Sequence, residues 1–283
     1  MLSDTQIDHY RTCGFVLLPA FMGDVTRPLA AEVRAAISDA YQATYSQRNA
    51  DGISGHYLPM ASRYTPLSAS LICDDPRFIR AAEALLGGPV IPECPEGVRY
   101  FFDAGWHNDD GMGVAGVRFA TYFDVLEADS GALRFIPESQ RRGQQPRLCS
   151  YRQLWMATDG PDIDGYRVRV SATIPGDVVA FDLHTWHASF GGRDRLAWTI
   201  TYQRCPETVE QRERTLRSMR DSFEQSCRGF DRSRYPIWRD WLAEGVTHPR
   251  RREVANRLRT TGVLDLDRRR ARLVTPPKSP QPL

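Results

Sequence analysis

Apolar residues in the first ninety positions recur mostly at helical spacing, with one short apolar run between them. Ser3 and Gln6 have the spacing of a capping box at the start of a short helix. Phe15 to Pro19 then forms an unbroken apolar run that predicts a strand. Longer helices are predicted over Pro28 to Gln47 and over about Pro76 to Leu86, the second ending at a glycine pair.

The segment Asn49 to Thr65 lies between the two longer helices and shows no clear period. Its glycine and proline residues predict a loop, long enough to serve as a lid over a site. His56 lies in this segment, where it is either a solvated side chain or a contact to a substrate. The segment is therefore a second place to look for function.

After residue 90 the pattern changes to short β-like runs separated by Gly, Pro and Asp. Runs of this length and spacing favour a β-sandwich or small barrel over an alternating βα sheet. We therefore predict a mainly β protein with flanking helices, a single domain over 1–263 with its β core at about 90–204. The predicted strands are Gly97 to Asp103, Val117 to Asp124, Ala132 to Ile136, Tyr166 to Ser171, Asp177 to Phe181 and Trp198 to Gln203. Helical patterns return over Pro206 to Phe230 and Trp238 to Ala243, and 264–283 is a proline-rich tail that predicts disorder.

Composition excludes several classes of function. The chain has 283 residues, with 37 basic and 35 acidic side chains and a formal net charge of +2. This balance disfavours binding to nucleic-acid backbones, which needs a concentrated positive field. No apolar run approaches the roughly 20 residues of a membrane helix, and the start of the chain lacks a secretory signal pattern. We expect a cytoplasmic protein with no membrane or nucleic-acid partner.

The candidate chemistry lies within the β region. His107 and Asp109 follow a predicted strand, and residues two apart on a strand point to the same side, so one ion could be chelated by both. His184 and His187 lie just past the predicted strand that ends at Phe181, and either could supply a second imidazole. Two histidines and one carboxylate on one face leave open positions that suit non-haem Fe(II).

An arginine follows His184 and His187 in the sequence and stands at the start of another apolar strand. Arg195 would offer a planar fork to a carboxylate, and the Ser189 hydroxyl would bind the same group. Arg193 is the alternative, but it lies in a glycine turn, whereas Arg195 directly precedes the strand. This pair is what a dicarboxylate cosubstrate with one end on iron requires.

These motifs together resemble the phytanoyl-CoA dioxygenase family of Fe(II)/2-oxoglutarate-dependent oxygenases. The resemblance covers roughly residues 3 to 204 and includes His107-x-Asp109, His187-Ala-Ser-Phe-Gly-Gly and the segment 131–143. It implies a double-stranded β-helix, also called a jelly roll or cupin-like core. It also implies iron bound by His107, Asp109 and His187, and 2-oxoglutarate bound by Arg195 with Ser189. The chain departs from the family at 138–140, where Glu-Ser-Gln replaces Gly-Ser-His.

The resemblance implies that dioxygen and 2-oxoglutarate are consumed as a C–H bond of a small organic substrate is oxidised. Hydroxylation is preferred, because related halogenases have Gly or Ala at the position of Asp109. Desaturation, ring formation and epimerisation use the same metal ligands, and a metal-binding jelly roll without turnover is the alternative of another class. Trp106, His56 and Arg141 are the candidate substrate contacts. The pattern fits a monomer or a homodimer, and we expect specialised metabolism as the biological setting.

Overall fold

The computed structural model describes residues 2–41, 55–101, 103–109, 113–141, 165–225, 230–244 and 248–266. Its helices are α1 Asp4–Cys13, α2 Thr26–Ala40, α3 Pro66–Leu71, α4 Arg77–Leu86, α5 Val209–Gln225, α6 Arg239–Glu244 and α7 Pro249–Thr261. Its strands are β1 Phe15–Leu18, β2 Gly55–Pro59, β3 Val90–Pro92, β4 Glu96–Tyr100, β5 Ala104–His107, β6 Gly116–Tyr122, β7 Leu133–Phe135, β8 Arg169–Ser171, β9 Val178–Asp182, β10 His187–Ser189 and β11 Arg195–Arg204.

The strands form two antiparallel sheets that face each other. The larger has seven strands in the order β1-β9-β6-β11-β4-β2, with β3 also paired to β11. The smaller has four strands in the order β5-β10-β7-β8. Two sheets built from strands so distant in sequence make a jelly roll with flanking helices. The predicted fold class is therefore confirmed.

Both faces of the larger sheet are buried, and strand periodicity separates them. On β11, Trp198 and Tyr202 face the helices and belong to the main hydrophobic core with α2, α4 and α7. Ala197, the direct neighbour of Trp198, faces the smaller sheet and packs in a second cluster with Leu133 and Phe135. Because residues i and i+2 share a face, the inner face can hold polar groups while the outer face packs on the helices.

Polar groups tie the helices to the outer face of the sheet. The Trp198 indole Nε1 donates to the Ser68 hydroxyl at 2.7 Å, and the Tyr202 hydroxyl donates to the Ile72 carbonyl at 2.7 Å. Both bonds are buried, so each satisfies a group whose burial without a partner would cost about 1–3 kcal/mol. None of the helices in the described part of the chain is long and apolar enough to cross a membrane.

Most predicted elements are present, with shifted bounds. The capping box is confirmed, since Gln6 N–H donates to Ser3 Oγ and Ser3 N–H donates to the Gln6 side chain. The predicted loop Asn49 to Thr65 is wrong for part of its length, because 55–59 is the edge strand β2 paired with β4. That strand is short and contains Gly and Pro, residues that are typical of loops, so its pattern did not predict a strand. The 49–54 part of the predicted lid lies outside the described residues.

Short strands were the elements that the pattern missed. β3, β5 and β10 have three or four residues each, too few for alternation to be recognised, and α3 was missed for the same reason. His187 follows β9, as predicted, and is the first residue of β10, a strand that was not predicted. α7 was also not predicted, and the core extends past the predicted boundary at 263, since Leu264 is buried. Residues 267–283 of the predicted tail lie outside the described residues.

Candidate metal and cosubstrate site

Three of the predicted side chains converge inside the jelly roll. The Nε2 atoms of His107 and His187 lie 3.7 and 3.8 Å from Asp109 Oδ1, and the three candidate ligand atoms lie within 4.8 Å of one another. The other ring nitrogen of each histidine faces a backbone carbonyl, Gly105 for His107 and Thr185 for His187. A carbonyl only accepts hydrogen bonds, so Nδ1 donates in both rings and Nε2 keeps its lone pair for a metal.

The smaller sheet places the two histidines side by side. β10 runs antiparallel to β5 with His187 directly opposite His107, and their ring centroids are 4.3 Å apart. Asp109 follows β5 after one residue, and its N–H donates to the Leu183 carbonyl at 2.8 Å. This backbone hydrogen bond fixes Asp109 beside the segment that leads into β10. Together with the pairing of β5 and β10, it aligns all three side chains.

The segment before His187 is held from outside the cavity. Ser139 Oγ accepts the N–H of Trp186 at 2.9 Å, and the Thr185 hydroxyl donates to the Gly14 carbonyl at 3.0 Å. Gly14 has a φ of +86°, and a Cβ there would overlap the Thr185 hydroxyl and the Gln140 side chain. The unusual 138–140 segment therefore contacts α1 and the approach to β10.

Arg118 sets the electrostatics of the metal site and is not among the predicted site residues. Its guanidinium forms an ion pair with Asp109 Oδ2 at 3.1 Å, and its Nε donates to the Thr201 hydroxyl at 3.1 Å. Burial alone raises the pKa of Asp109, but Arg118 and the two histidines outweigh it and hold that pKa below its usual value. Burial, reinforced by His107, lowers the pKa of His187 to about 4. Both groups are thus in the protonation states that bind metal.

A buried arginine lies further along the same cavity. Arg195 is 3% exposed and donates to the Gly131 carbonyl at 2.9 Å and to the Ser189 hydroxyl. Its guanidinium also lies 5.3 Å from the centre of the Tyr100 ring. Burial raises the pKa of Tyr122 to about 12 although Arg195 opposes this, so the Tyr122 phenol stays protonated. A guanidinium group with hydroxyl groups beside it can bind a carboxylate.

One cavity of about 640 Å³ joins the metal-binding group to Arg195 and Ser189. The two alternative residues lie elsewhere: His184 bonds to Asp182, with Nδ1 2.9 Å from Oδ1, and Arg193 is exposed. Neither lines the cavity. The geometry therefore favours His187 over His184 and Arg195 over Arg193.

The three candidate substrate contacts lie outside the residues that line this cavity. His56 is 5% exposed and stacks on Tyr41 at 4.0 Å, because the alternation of β2 turns its neighbour Tyr57 inward instead. Trp106 is 2% exposed and packs with Trp186, because on β5 it faces away from His107. Arg141 is exposed and pairs with Glu138 at 2.7 Å.

A signal for Arg118 exists in the sequence. It stands between Val117 and Phe119, which face the helices, so strand alternation turns it inward with Ala120 and Tyr122. A charged residue at an inward position of an apolar strand must be paired, since an unpaired buried charge is very costly. Glu93, which also lines the cavity, gives no such signal, because the strand before it has three residues.

A jelly roll that holds two imidazoles and one carboxylate on its inner surface belongs to the cupin class of metal-binding proteins. Its ligand set and open face are those of a non-haem iron site rather than of a closed structural zinc site. The chain belongs to the phytanoyl-CoA dioxygenase family, whose model matches residues 10–195. The family resemblance of the sequence is therefore confirmed.

Solved structures share the fold at low sequence identity. EvdO2 from Micromonospora carbonacea var. aurantiaca is 18% identical with a TM-score of 0.55, covering 74% of this chain and 94% of its own. The carbocyclase SnoK from nogalamycin biosynthesis is 19% identical with a TM-score of 0.54, covering 72% and 85%. EctD from S. alaskensis, crystallised with 2-oxoglutarate and 5-hydroxyectoine, is 16% identical with a TM-score of 0.52, covering 72% and 77%. No curated protein matches the sequence.

Proposed function

We propose that this protein is an Fe(II)- and 2-oxoglutarate-dependent dioxygenase that hydroxylates a C–H bond of a small organic molecule. The observation that carries the proposal is the presence of His107, Asp109, His187 and the buried Arg195 in one cavity. Iron(II) with 2-oxoglutarate supplies the oxidising chemistry: dioxygen and the cosubstrate yield succinate and carbon dioxide as the C–H bond becomes C–OH.

The donor set fits iron. Each histidine is held in the tautomer with Nε2 free, and Asp109 is held ionised beside Arg118. These three residues would hold the iron, and a set of only three protein ligands would leave room for the cosubstrate and dioxygen to bind. The protein's contribution is to keep the three ligands aligned before metal arrives, so little ordering remains to be done on binding.

Arg195 and Ser189 would hold the distal carboxylate of 2-oxoglutarate. Both are buried, so the charge-assisted hydrogen bonds would be made away from competing water. Phe181 packs against the His187 ring, with centroids 4.6 Å apart, and also lines the cavity. That apolar wall would limit water beside the metal and orient the cosubstrate between the ligands and Arg195.

Hydroxylation is the reaction we favour. Asp109 supplies a carboxylate where related halogenases would have a small residue, and this disfavours halogenation. Two similar structures, a carbocyclase and an enzyme crystallised with 5-hydroxyectoine, support the view that one fold carries several reaction outcomes. The outcome depends on which substrate carbon lies near the metal.

The proposal is tested by loading the protein with Fe(II) and 2-oxoglutarate without oxygen, admitting oxygen, and measuring succinate by mass spectrometry. We expect succinate to form slowly without substrate and faster when a suitable substrate is added, with one oxygen atom from dioxygen in the product. The His187→Gln protein is the negative control, and His184→Gln is its matched positive control. A metal-binding jelly roll without turnover would produce no succinate above the His187→Gln background.

A further inference from the structure

Two glycines from distant parts of the chain face each other beside Arg195. Gly131 lies two residues before β7, and Gly192 lies in the turn between β10 and β11. Both glycines are buried, and a Cβ added to either one would lie 2.8 Å from the Cα of the other. The two turns are therefore in direct backbone contact, and we call these two residues the glycine pair.

The Arg195 side chain runs along the glycine pair. A Cβ added at Gly131 would lie 2.6 Å from Arg195 Cδ. A Cβ added at Gly192 would lie 2.5 Å from Arg195 Nε and 2.6 Å from Arg195 Cδ. Real Cβ atoms do not approach other heavy atoms this closely, so a side chain at either position would displace the arginine or the opposite turn. Glycine allows the close approach because it has no Cβ.

Displacing the opposite turn would also move Arg195. The Gly131 carbonyl accepts hydrogen bonds from Arg195 Nη1 at 2.9 Å and from the Ser189 hydroxyl at 2.8 Å. Gly131 has a φ of +99°, so its backbone conformation alone favours glycine. The φ of Gly192 lies outside the left-handed region, so the close approach to Arg195 and Gly131 is what excludes a side chain there.

We propose that Gly192 is a positioning residue for cosubstrate binding, because its missing side chain lets Arg195 reach the Gly131 carbonyl and fixes the guanidinium in the cavity. This inference rests on the proposed function, which assigns Arg195 to the distal carboxylate of 2-oxoglutarate. Charge-assisted hydrogen bonds from a guanidinium depend on alignment, and binding groups must be held to within about 0.5 Å. A displaced guanidinium would keep its charge but bind the carboxylate less tightly.

The test compares 2-oxoglutarate with 2-oxopentanoate, which has the same chain length but no distal carboxylate. Each acid is titrated by calorimetry into the Fe(II)-loaded protein without oxygen. Gly192→Ala should weaken 2-oxoglutarate binding at least about tenfold, equivalent to about 1.4 kcal/mol, and leave the affinities for 2-oxopentanoate and Fe(II) unchanged. General structural damage would weaken the binding of both acids. Gly88→Ala is the matched control, because a Cβ there would lie no closer than 3.4 Å to its nearest neighbour, Arg204.

A double-mutant cycle shows whether Gly192 acts through Arg195. Arg195→Ala removes the Cδ and Nε atoms that an added Cβ would meet, so Gly192→Ala should cause no further loss of 2-oxoglutarate affinity in that background. The cycle also covers a Gly192→Ala protein that folds poorly, since the replacement should cost less stability in urea titrations when Arg195 is already alanine.

Three results would overturn the proposal: equal losses for both acids, parental 2-oxoglutarate affinity in Gly192→Ala, or an undiminished effect of Gly192→Ala in the Arg195→Ala background. The parent protein separates this inference from the proposed function. A parent that binds 2-oxoglutarate no better than 2-oxopentanoate would count against the proposed function. A parental preference that Gly192→Ala retains would count against the positioning role alone.

Discussion

Replacing Arg195 with methionine would remove the guanidinium and keep a long apolar side chain in its place. The Gly131 carbonyl would still accept the Ser189 hydroxyl at 2.8 Å, so the backbone would not lose its last partner. The cosubstrate carboxylate would lose its buried counterion, a change that costs about 3–5 kcal/mol. At about 1.4 kcal/mol per factor of ten, the Kd for 2-oxoglutarate should rise roughly 140- to 3,700-fold.

Arg195→Lys separates charge from geometry. It keeps the positive charge but loses one arm of the fork, so the expected loss is roughly tenfold to 150-fold, the value of one charge-assisted hydrogen bond of about 1.5–3 kcal/mol. Calorimetry of 2-oxoglutarate binding to the Fe(II)-loaded protein without oxygen measures both values, and Fe(II) affinity should stay unchanged. Arg193→Ala is the matched control, since Arg193 is exposed two residues away. Near-parental binding by Arg195→Met, with weakened binding by Arg193→Ala, would refute the assignment.

Three further results are expected. His187→Gln should abolish tight Fe(II) binding in a chelator competition, while His184→Gln should retain it, because His184 lies outside the metal-binding group. Gly14→Ala should lower the free energy of unfolding by about 1–3 kcal/mol more than Gly87→Ala in urea titrations; both glycines have positive φ, but an added Cβ meets other atoms only at Gly14. Burial lowers the pKa of His56, so the unfolded chain binds a proton first and stability should fall as pH drops below about 6.5. His56→Phe should flatten that part of the pH profile; an unchanged slope would contradict the pKa assignment.

The sequence predicted the metal-binding group because its chemistry lies in short, recognisable spacings. His107 and Asp109 are separated by one residue, and Arg195 opens an apolar strand, so strand alternation and side-chain chemistry together point to each of them. The choice between His184 and His187 needed the family resemblance, because both follow the same strand. Arg118 and Glu93 enter the cavity through tertiary placement, which a single sequence does not specify.

The predicted substrate contacts show that being next to a site residue in the sequence does not place a side chain in the site. Trp106 is the direct neighbour of a metal-binding candidate, and this placed it near the site in the prediction. In a strand, direct neighbours point to opposite faces, so Trp106 packs with Trp186 while His107 faces the cavity. Long strands such as β6 and β11 were predicted nearly to their ends. The short strands β3, β5 and β10 were missed, because pairing with distant partners defines them, whereas β7 and β8, which are equally short, lie inside longer predicted runs.

The separation of the two faces of the larger sheet has an evolutionary consequence. Side chains that stabilise the molecule, such as Trp198, point towards the helices, whereas Thr199, its neighbour, points towards the reactants. Mutations of cavity-lining residues such as Thr199 therefore leave the packing of Trp198 against the helices in place. A new substrate could be acquired by successive single replacements along β4, β6 and β11, each leaving a folded protein on which selection can act.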